Sequence, residues 1–139
     1  MRNTKPVLLV EDDNVDAMTV KRSIEDLELK TKLVRTTNGE EALEYLRDEK
    51  NEMPCFVLLD LNMPKMNGIE FLKIIKADDR LKKIPVIVLT TSKEDQDVVE
   101  SFELSAAGYM IKPVDYKQFV DSMKTLHMYW SLSRLPEMV

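Results

Sequence analysis

The sequence alternates five short apolar runs with five longer amphipathic stretches, and this alternation limits the fold more than any other feature. Most of the apolar runs are rich in Val, Ile and Leu, which is typical of β-strands buried on both faces of a sheet. The runs are KPVLLV (5–10), KLVRTT (32–37), CFVLL (55–59), IPVIVL (84–89) and YMI (109–111).

Each apolar run is followed by a stretch whose apolar residues recur at the spacing of an amphipathic helix. The predicted helices cover residues 14–27, 40–50, 67–77, 94–106 and 115–130. We expect Asn67 to cap the start of the third helix and Gly108 to cap the end of the fourth. Strict alternation of strands and helices predicts the α/β class, as one three-layer, doubly wound domain with a parallel sheet covered on both faces.

The composition excludes several functional classes. The chain has 139 residues with a formal charge of −5, and a phosphate-backbone partner needs a basic surface, so nucleic acid is not expected as a direct partner. Its single cysteine, Cys55, excludes an internal disulfide. Because no run approaches the roughly 18 apolar residues of a membrane helix or resembles a signal peptide, we expect a cytoplasmic protein without a membrane partner.

Charged and polar side chains follow four of the five predicted strands at the point where each strand ends. In chain order they are Glu11, Asp12 and Asp13, then Asp60, then Thr90 and Thr91, and finally Lys112. Ligand sites of doubly wound sheets lie outside the carboxyl ends of the strands, so these side chains should share one pocket. Crowded carboxylates repel one another unless a cation joins them, and oxygen ligands suit Mg²⁺.

Carboxylates, a metal ion, a lysine and a hydroxyl together resemble a phosphoryl-transfer site. In that interpretation Asp60 is the nucleophile, and Lys112 and Thr90 contact oxygens of the phosphoryl group. Each residue alone also has a structural interpretation: acids cap helices, a threonine ends a strand, and a lysine before proline is often solvated. The functional interpretation is favoured because all four groups fall at strand ends of one predicted sheet.

The motifs at these strand ends resemble those of two-component response-regulator receiver domains. The matching segments are LLVEDD at 8–13, LLDLNMPKMNG at 58–68, PVIVLTTS at 85–92 and GYMIKP at 108–113. The resemblance extends over nearly the whole chain, at intervals typical of receivers. It implies a flavodoxin-like (βα)5 fold with strand order 2-1-3-4-5.

The resemblance also implies roles for the acidic residues. Asp60 would be the phosphoacceptor, receiving its phosphoryl group from a phosphohistidine of a sensor histidine kinase. Asp12, Asp60 and the backbone carbonyl of Asn62 would bind Mg²⁺, with Glu11 acting mainly through water. Asp13 would cap the first helix.

A second set of implied residues would convert phosphorylation into a change of surface. Lys112 would neutralise the phosphoryl group, and its bond to Pro113 is usually cis in receivers, which would aim the lysine into the pocket. Thr90 matches the switch hydroxyl and Tyr109 the switch aromatic. When Thr90 moves towards the phosphoryl group, Tyr109 would turn inward and reshape the face made by the fourth helix, the fifth strand and the fifth helix.

The segments LTTS (89–92) and DDRLKKIP (78–85) and the extended carboxyl end with Tyr129 and Trp130 also resemble the small receivers that serve bacterial phytochromes and related light- or redox-sensing kinases. We expect a receiver domain over residues 1–130 and a tail over residues 131–139, with no output domain following. Tyr129, Trp130, Leu132 and Leu135 could fold back on the domain or form an interface, and the related receivers favour a homodimer through this end. The expected kinase partner is phytochrome-like.

Two rival interpretations predict different chemistry. A phosphohydrolase of the haloacid-dehalogenase kind would need a second Asp two residues after its nucleophile, where this chain has Asn62. A flavin or nucleotide carrier would need a Gly-, Ser- or Thr-rich phosphate loop after the first strand, where this chain has EDD. We therefore expect a signalling module that is not an enzyme and has at most slow self-dephosphorylation.

Overall fold

A computed structural model describes the structure of residues 5–133. Five strands form one sheet: β1 (Val7–Val10), β2 (Leu33–Thr36), β3 (Phe56–Leu59), β4 (Val86–Thr90) and β5 (Gly108–Ile111). Five helices alternate with them: α1 (Asn14–Asp26), α2 (Gly39–Arg47), α3 (Gly68–Ala77), α4 (Asp95–Glu103) and α5 (Tyr116–Leu132). None of these helices is long and apolar enough to cross a membrane.

All neighbouring strands of the sheet are parallel, and their order is β2-β1-β3-β4-β5. The flavodoxin-like, doubly wound architecture and the strand order predicted from the sequence are therefore confirmed. The chain reverses its direction of winding between β1 and β3, and this is where ligand sites of such sheets form.

Two apolar layers enclose the sheet, because alternate residues of each strand point to opposite faces. In β1, Leu8 and Val10 pack on the side of α2 and α3, whereas Val7 and Leu9 pack on the side of α1 and α5. Strands buried in this way need apolar residues at every position, which explains their continuous apolar runs.

Helix caps agree with the prediction at α3 and differ at α4. Asn67 caps α3 through a capping box, in which its side chain accepts from the Glu70 amide and the Glu70 carboxylate accepts from the Asn67 amide. The prediction that Gly108 caps α4 is wrong, because Gly108 lies inside β5. The left-handed residue after α4 is Ser105, with φ 66°, and its amide donates to the carbonyl of Phe102.

The start of α3 packs against the backbone that carries Asp60. A β-carbon at Gly68 would lie 2.5 Å from the Asp60 carbonyl oxygen and 2.7 Å from the Leu61 α-carbon. No side chain fits there without moving this backbone. Gly68 therefore lets the start of α3 pack closely against the backbone of Asp60.

Candidate functional site

Hydrogen bonds of the sheet continue one residue past the ends of the strands and fix the backbone of the site. The Glu11 amide donates to the carbonyl of Thr36, the Asp60 amide to Val10 and the Lys112 amide to Thr90, at 2.8–3.0 Å. The sheet therefore fixes the backbone of Glu11, Asp60 and Lys112, from which their side chains project.

The predicted acidic residues come together. Ligand oxygens of Glu11, Asp12 and Asp60 all lie within 4.8 Å of one another. Glu11 is 2% exposed and Asp60 6%, whereas Asp12 is exposed to solvent. Three carboxylate oxygens with an open side are a donor set that fits Mg²⁺ or Mn²⁺. These residues could hold such an ion.

Lys112 reaches this acidic cluster from β5, as predicted. Its Nζ lies 2.5 Å from Glu11 Oε1, 2.8 Å from Asp16 Oδ2 and 3.6 Å from Asp60 Oδ2. The expectation of a cis bond between Lys112 and Pro113 is wrong for this structure, since no peptide bond in residues 5–133 is cis. The lysine side chain is long enough to reach the carboxylates from a trans backbone.

The electrostatics of the cluster show incomplete compensation of charge. Burial raises the pKa of Glu11 to about 7; the hydrogen bond from Lys112 opposes this rise and the charge of Asp60 adds to it. Burial alone would lower the pKa of Lys112, but its hydrogen bonds to Asp16 and Glu11 outweigh burial and raise it. Lys112 therefore stays protonated, whereas the pKa of Glu11 lies near neutral pH.

The two predicted switch residues lie on the neighbouring strands β4 and β5 and are linked through Ser92. Thr90 is fully buried, and its Oγ1 accepts from the Ser92 amide at 3.3 Å. The hydroxyl of Tyr109 donates to the Ser92 carbonyl at 3.0 Å, while the ring packs against the core. Burial raises the pKa of Tyr109, so it remains a neutral donor. A contact path thus runs from the end of β4 to β5.

Asn62 and Asp13 are neighbours in sequence of the clustered acids, and both make local hydrogen bonds. The Asn62 amide donates to Asp60 Oδ1 at 3.3 Å, and the Asn62 side chain is exposed. The role of its carbonyl as a metal ligand stays a prediction. Asp13 caps α1, since its Oδ1 accepts from the Asp16 amide at 2.9 Å, as expected.

Sequence reasoning missed two charged residues of the site, Asp16 and Arg35. Asp16 lies in the first turn of α1, three residues after the N-cap Asp13, and the sequence gives no signal that its side chain reaches Lys112. Arg35 lies in β2, and its guanidinium donates to the carbonyls of Glu11 and Asp12 and to Asn14 Oδ1, at 2.9–3.1 Å. Only the pairing of β1 with β2 reveals that contact.

Fold and site together define a class of protein: a flavodoxin-like α/β domain with carboxylates and a lysine at the carboxyl edge of its sheet. A family model described as the response regulator receiver domain matches residues 7–124. The chain therefore belongs to the response regulator receiver family. Members of this family are signalling modules of two-component systems and are phosphorylated on an aspartate.

Two curated proteins are similar to this chain over most of its length. The probable methanogenesis regulatory protein FilR2 of Methanothrix harundinacea is 38% identical over 127 residues, which cover 89% of this chain and 82% of FilR2. Response regulator Rcp1 of Synechocystis sp. is 35% identical over 130 residues, which cover 91% of this chain and 88% of Rcp1.

Crystal structures of two such regulators share the fold. The Mn(2+)-bound form of Rcp1 matches 96% of this chain and 99% of its own, with a TM-score of 0.88 at 34% identity. The phosphorylated cyanobacterial phytochrome response regulator RcpA matches 97% of this chain and 100% of its own, with a TM-score of 0.90 at 34% identity. The predicted likeness to small phytochrome regulators is confirmed.

Arg35 yields a testable prediction about metal binding. Because Arg35 ties down the backbone of both acids after β1, we expect Arg35→Gln to weaken Mn²⁺ binding by about tenfold, the usual cost of losing a group that orients metal ligands. Electron paramagnetic resonance of free Mn²⁺ measures this affinity. Loss of the positive charge alone would strengthen binding, so the direction of the change separates the two effects.

The matched control is Lys32→Gln, which removes one positive charge from an exposed pair with Glu52 at the other end of β2. This variant should bind Mn²⁺ like the parent protein. An Arg35→Gln protein that is folded and binds Mn²⁺ as tightly as the Lys32→Gln control would contradict the assigned role of Arg35.

Proposed function

We propose that the protein is a response regulator that accepts a phosphoryl group on Asp60 from a sensor histidine kinase. The observation that carries the proposal is the meeting of Glu11, Asp12 and Asp60, with oxygens within 4.8 Å, beside the Lys112 ammonium. Asp60 directly follows β3, the central strand of the sheet, and is 6% exposed.

The reaction is a transfer from nitrogen to oxygen. A carboxylate oxygen of Asp60 attacks the phosphorus of a phosphohistidine, and the P–N bond breaks. The bonding pair stays on the imidazole nitrogen, which is then protonated. Glu11, Asp12, Asp60 and the Asn62 carbonyl would hold Mg²⁺, which supplies positive charge to the transferring oxygens.

Lys112 and Thr90 stabilise the product. Lys112 offers an ammonium to one phosphoryl oxygen, and the hydroxyl of Thr90 donates to another. Movement of Thr90 disturbs its contact with Ser92, and thereby the hydrogen bond of Tyr109 to the Ser92 carbonyl. A shift of a pre-existing equilibrium between two arrangements is sufficient for signalling.

The output surface is the face of α4, β5 and α5. Val99 and Phe102 of α4 and Ile111 of β5 are exposed apolar residues on these elements. Exposed apolar residues on one face are typical of protein-binding surfaces. This supports an output by protein contact, with a target that recognises the face when Tyr109 has moved.

The kinase partner follows from the relatives and from a second exposed surface. RcpA is a cyanobacterial phytochrome response regulator, so we infer a phytochrome-like histidine kinase for this chain. Val15 and Met18 of α1 and Val114 after Lys112 are exposed, and they flank the site in sequence. They offer an apolar docking area for the kinase around Asp60.

The predicted location is the cytoplasm. The single cysteine is consistent with a reducing compartment, because it cannot form a disulfide within the chain.

A hydrolase is the weaker candidate because the chain lacks a suitable acid–base group after Asp60. Such an enzyme places a carboxylate two residues past its nucleophile, and Asn62 cannot donate or accept a proton in that role. We expect slow self-dephosphorylation at most.

Incubation with acetyl phosphate and Mg²⁺ tests the phosphoacceptor. Intact mass spectrometry should show one added phosphoryl group on the parent protein and none on Asp60→Asn, because the nucleophile is lost. Asp79→Asn removes a fully exposed carboxylate and should be phosphorylated like the parent. Chelation of Mg²⁺ should abolish the reaction. Phosphorylation of Asp60→Asn, or rapid turnover of a phosphate ester, would refute the proposal.

The end of α5 supports a homodimer. Trp130 folds back on the domain, with its ring centroid 4.6 Å from that of Phe56. Met128, Tyr129 and Leu132 in the last two turns are exposed instead. Leu135 lies outside the described residues. Three large apolar side chains at one helix end suit a contact between two copies of the chain.

Leu132→Glu should convert the homodimer to a monomer, because it places a charge in the apolar contact. Leu132 is 88% exposed, so the fold itself does not need it. Sedimentation velocity across a range of concentrations measures the change, with about a tenfold weaker association or more expected. Val15→Glu is the control: Val15 is 71% exposed on α1, and its replacement should leave the dimer intact. A parent protein that is monomeric throughout would exclude this interface.

A further inference from the structure

Asp16 is a charged neighbour of the site for which the proposed reaction provides no role. Its carboxylate accepts a hydrogen bond from Lys112 Nζ at 2.8 Å, across 96 residues of sequence. It is not among the carboxylates that cluster within 4.8 Å of one another. Within residues 5–133, the side-chain partner of its carboxylate is therefore the lysine that the phosphoryl group would need.

The three acids around Lys112 are not equivalent. An ammonium has three N–H donors. Glu11 and Asp16 each accept a hydrogen bond from it, at 2.5 and 2.8 Å, whereas Asp60 stands at 3.6 Å, beyond hydrogen-bond distance. Lys112 is thus held by its other two partners rather than by the phosphoacceptor.

The two partners that hold Lys112 differ in how easily they can release it. The Glu11 side chain is 2% exposed, and leaving it without a partner would bury an uncompensated charge. The Asp16 side chain is 39% exposed and lies on the first turn of α1, so water can solvate it after release. Asp16 is the partner that Lys112 can exchange for a new anion.

We propose that Asp16 is a positioning residue that competes with the phosphoryl group for Lys112 and thereby limits how tightly that group is held. The inference rests on the proposed phosphorylation of Asp60. In the unphosphorylated protein Asp16 retains the ammonium on the α1 side of the site. When a phosphoryl dianion forms on Asp60, Lys112 leaves Asp16 and binds a phosphoryl oxygen. The strength of the Asp16 contact therefore opposes the phosphorylated state.

Binding of beryllofluoride, an analogue of the phosphoryl group, tests the competition in the presence of Mg²⁺. Asp16→Asn should bind the analogue about fivefold more tightly than the parent, a change in the range expected for a partly exposed ion pair. The asparagine keeps the size of the side chain, and Asp79→Asn controls for the loss of one negative charge. Fluorine NMR measures both affinity and occupancy.

A double-mutant cycle with Lys112→Gln separates competition from simple repulsion between Asp16 and the anion. If Asp16 acts through the lysine, the gain from Asp16→Asn should fall below about twofold once Lys112 is absent. A gain of equal size in both backgrounds would show repulsion and overturn the proposal. Weaker or unchanged binding by Asp16→Asn would also overturn it, because Asp16 would then anchor Lys112 productively or not act at all.

The lifetime of the aspartyl phosphate is a second measurement of the competition for Lys112. After phosphorylation with acetyl phosphate, Asp16→Asn should lose the group about fivefold more slowly than the parent, because Lys112 then stays on the phosphoryl oxygen, and an equal or faster loss would overturn the proposal. Failure of the proposed function would appear differently. In that case the parent protein itself would take up neither beryllofluoride nor a phosphoryl group, and Asp60→Asn would be indistinguishable from it.

Discussion

Repulsion between buried carboxylates is the interaction on which the rest of the structure depends. Glu11 and Asp60 lie almost completely inside the protein, and one ammonium, that of Lys112, compensates them. A buried charge without a partner is costly, so the site is stable only while Lys112 stays within reach. Burial, to which the charge of Asp60 adds, raises the pKa of Glu11 to about 7, and the hydrogen bond from Lys112 offsets only part of this rise. A site whose negative charge is only partly compensated favours the binding of a further cation.

The fold holds the charged residues of the site close together by fixing their backbone rather than their side chains. Extension of the sheet ladder fixes Glu11, Asp60 and Lys112, and the absence of a side chain at Gly68 lets α3 approach the Asp60 carbonyl. Arg35 then satisfies carbonyls that lie past the end of β1. The reacting groups are therefore held in place before any ligand arrives. The parts that can respond are partly buried side chains around the site: Asp16, Lys112, Ser92 and Tyr109.

Much of this arrangement was predictable from sequence because it follows from local patterns. Continuous apolar runs identify buried strands. Because the carboxyl ends of the strands of a doubly wound sheet share one edge, the proximity of Asp60 and Lys112 could be predicted. Contacts that depend on strand register or side-chain reach were not predictable. Arg35 contacts the loop after β1 only because β2 pairs with β1 in one register. Asp16 competes for Lys112 only because both side chains reach the same point, and the left-handed turn after α4 fell on Ser105 rather than on a glycine.

The central claim is that like charges at residues 11, 12 and 60 form a site that a divalent cation relieves. The free energy of unfolding in urea, measured with and without millimolar Mg²⁺ at constant ionic strength, tests it most directly. We expect Mg²⁺ to stabilise the parent protein by about 1–2 kcal/mol, since the ion binds only the folded site. Asp60→Asn should gain much less, because one ligand and one repelling charge are gone. Equal responses of the two proteins, or no response of the parent, would contradict the account.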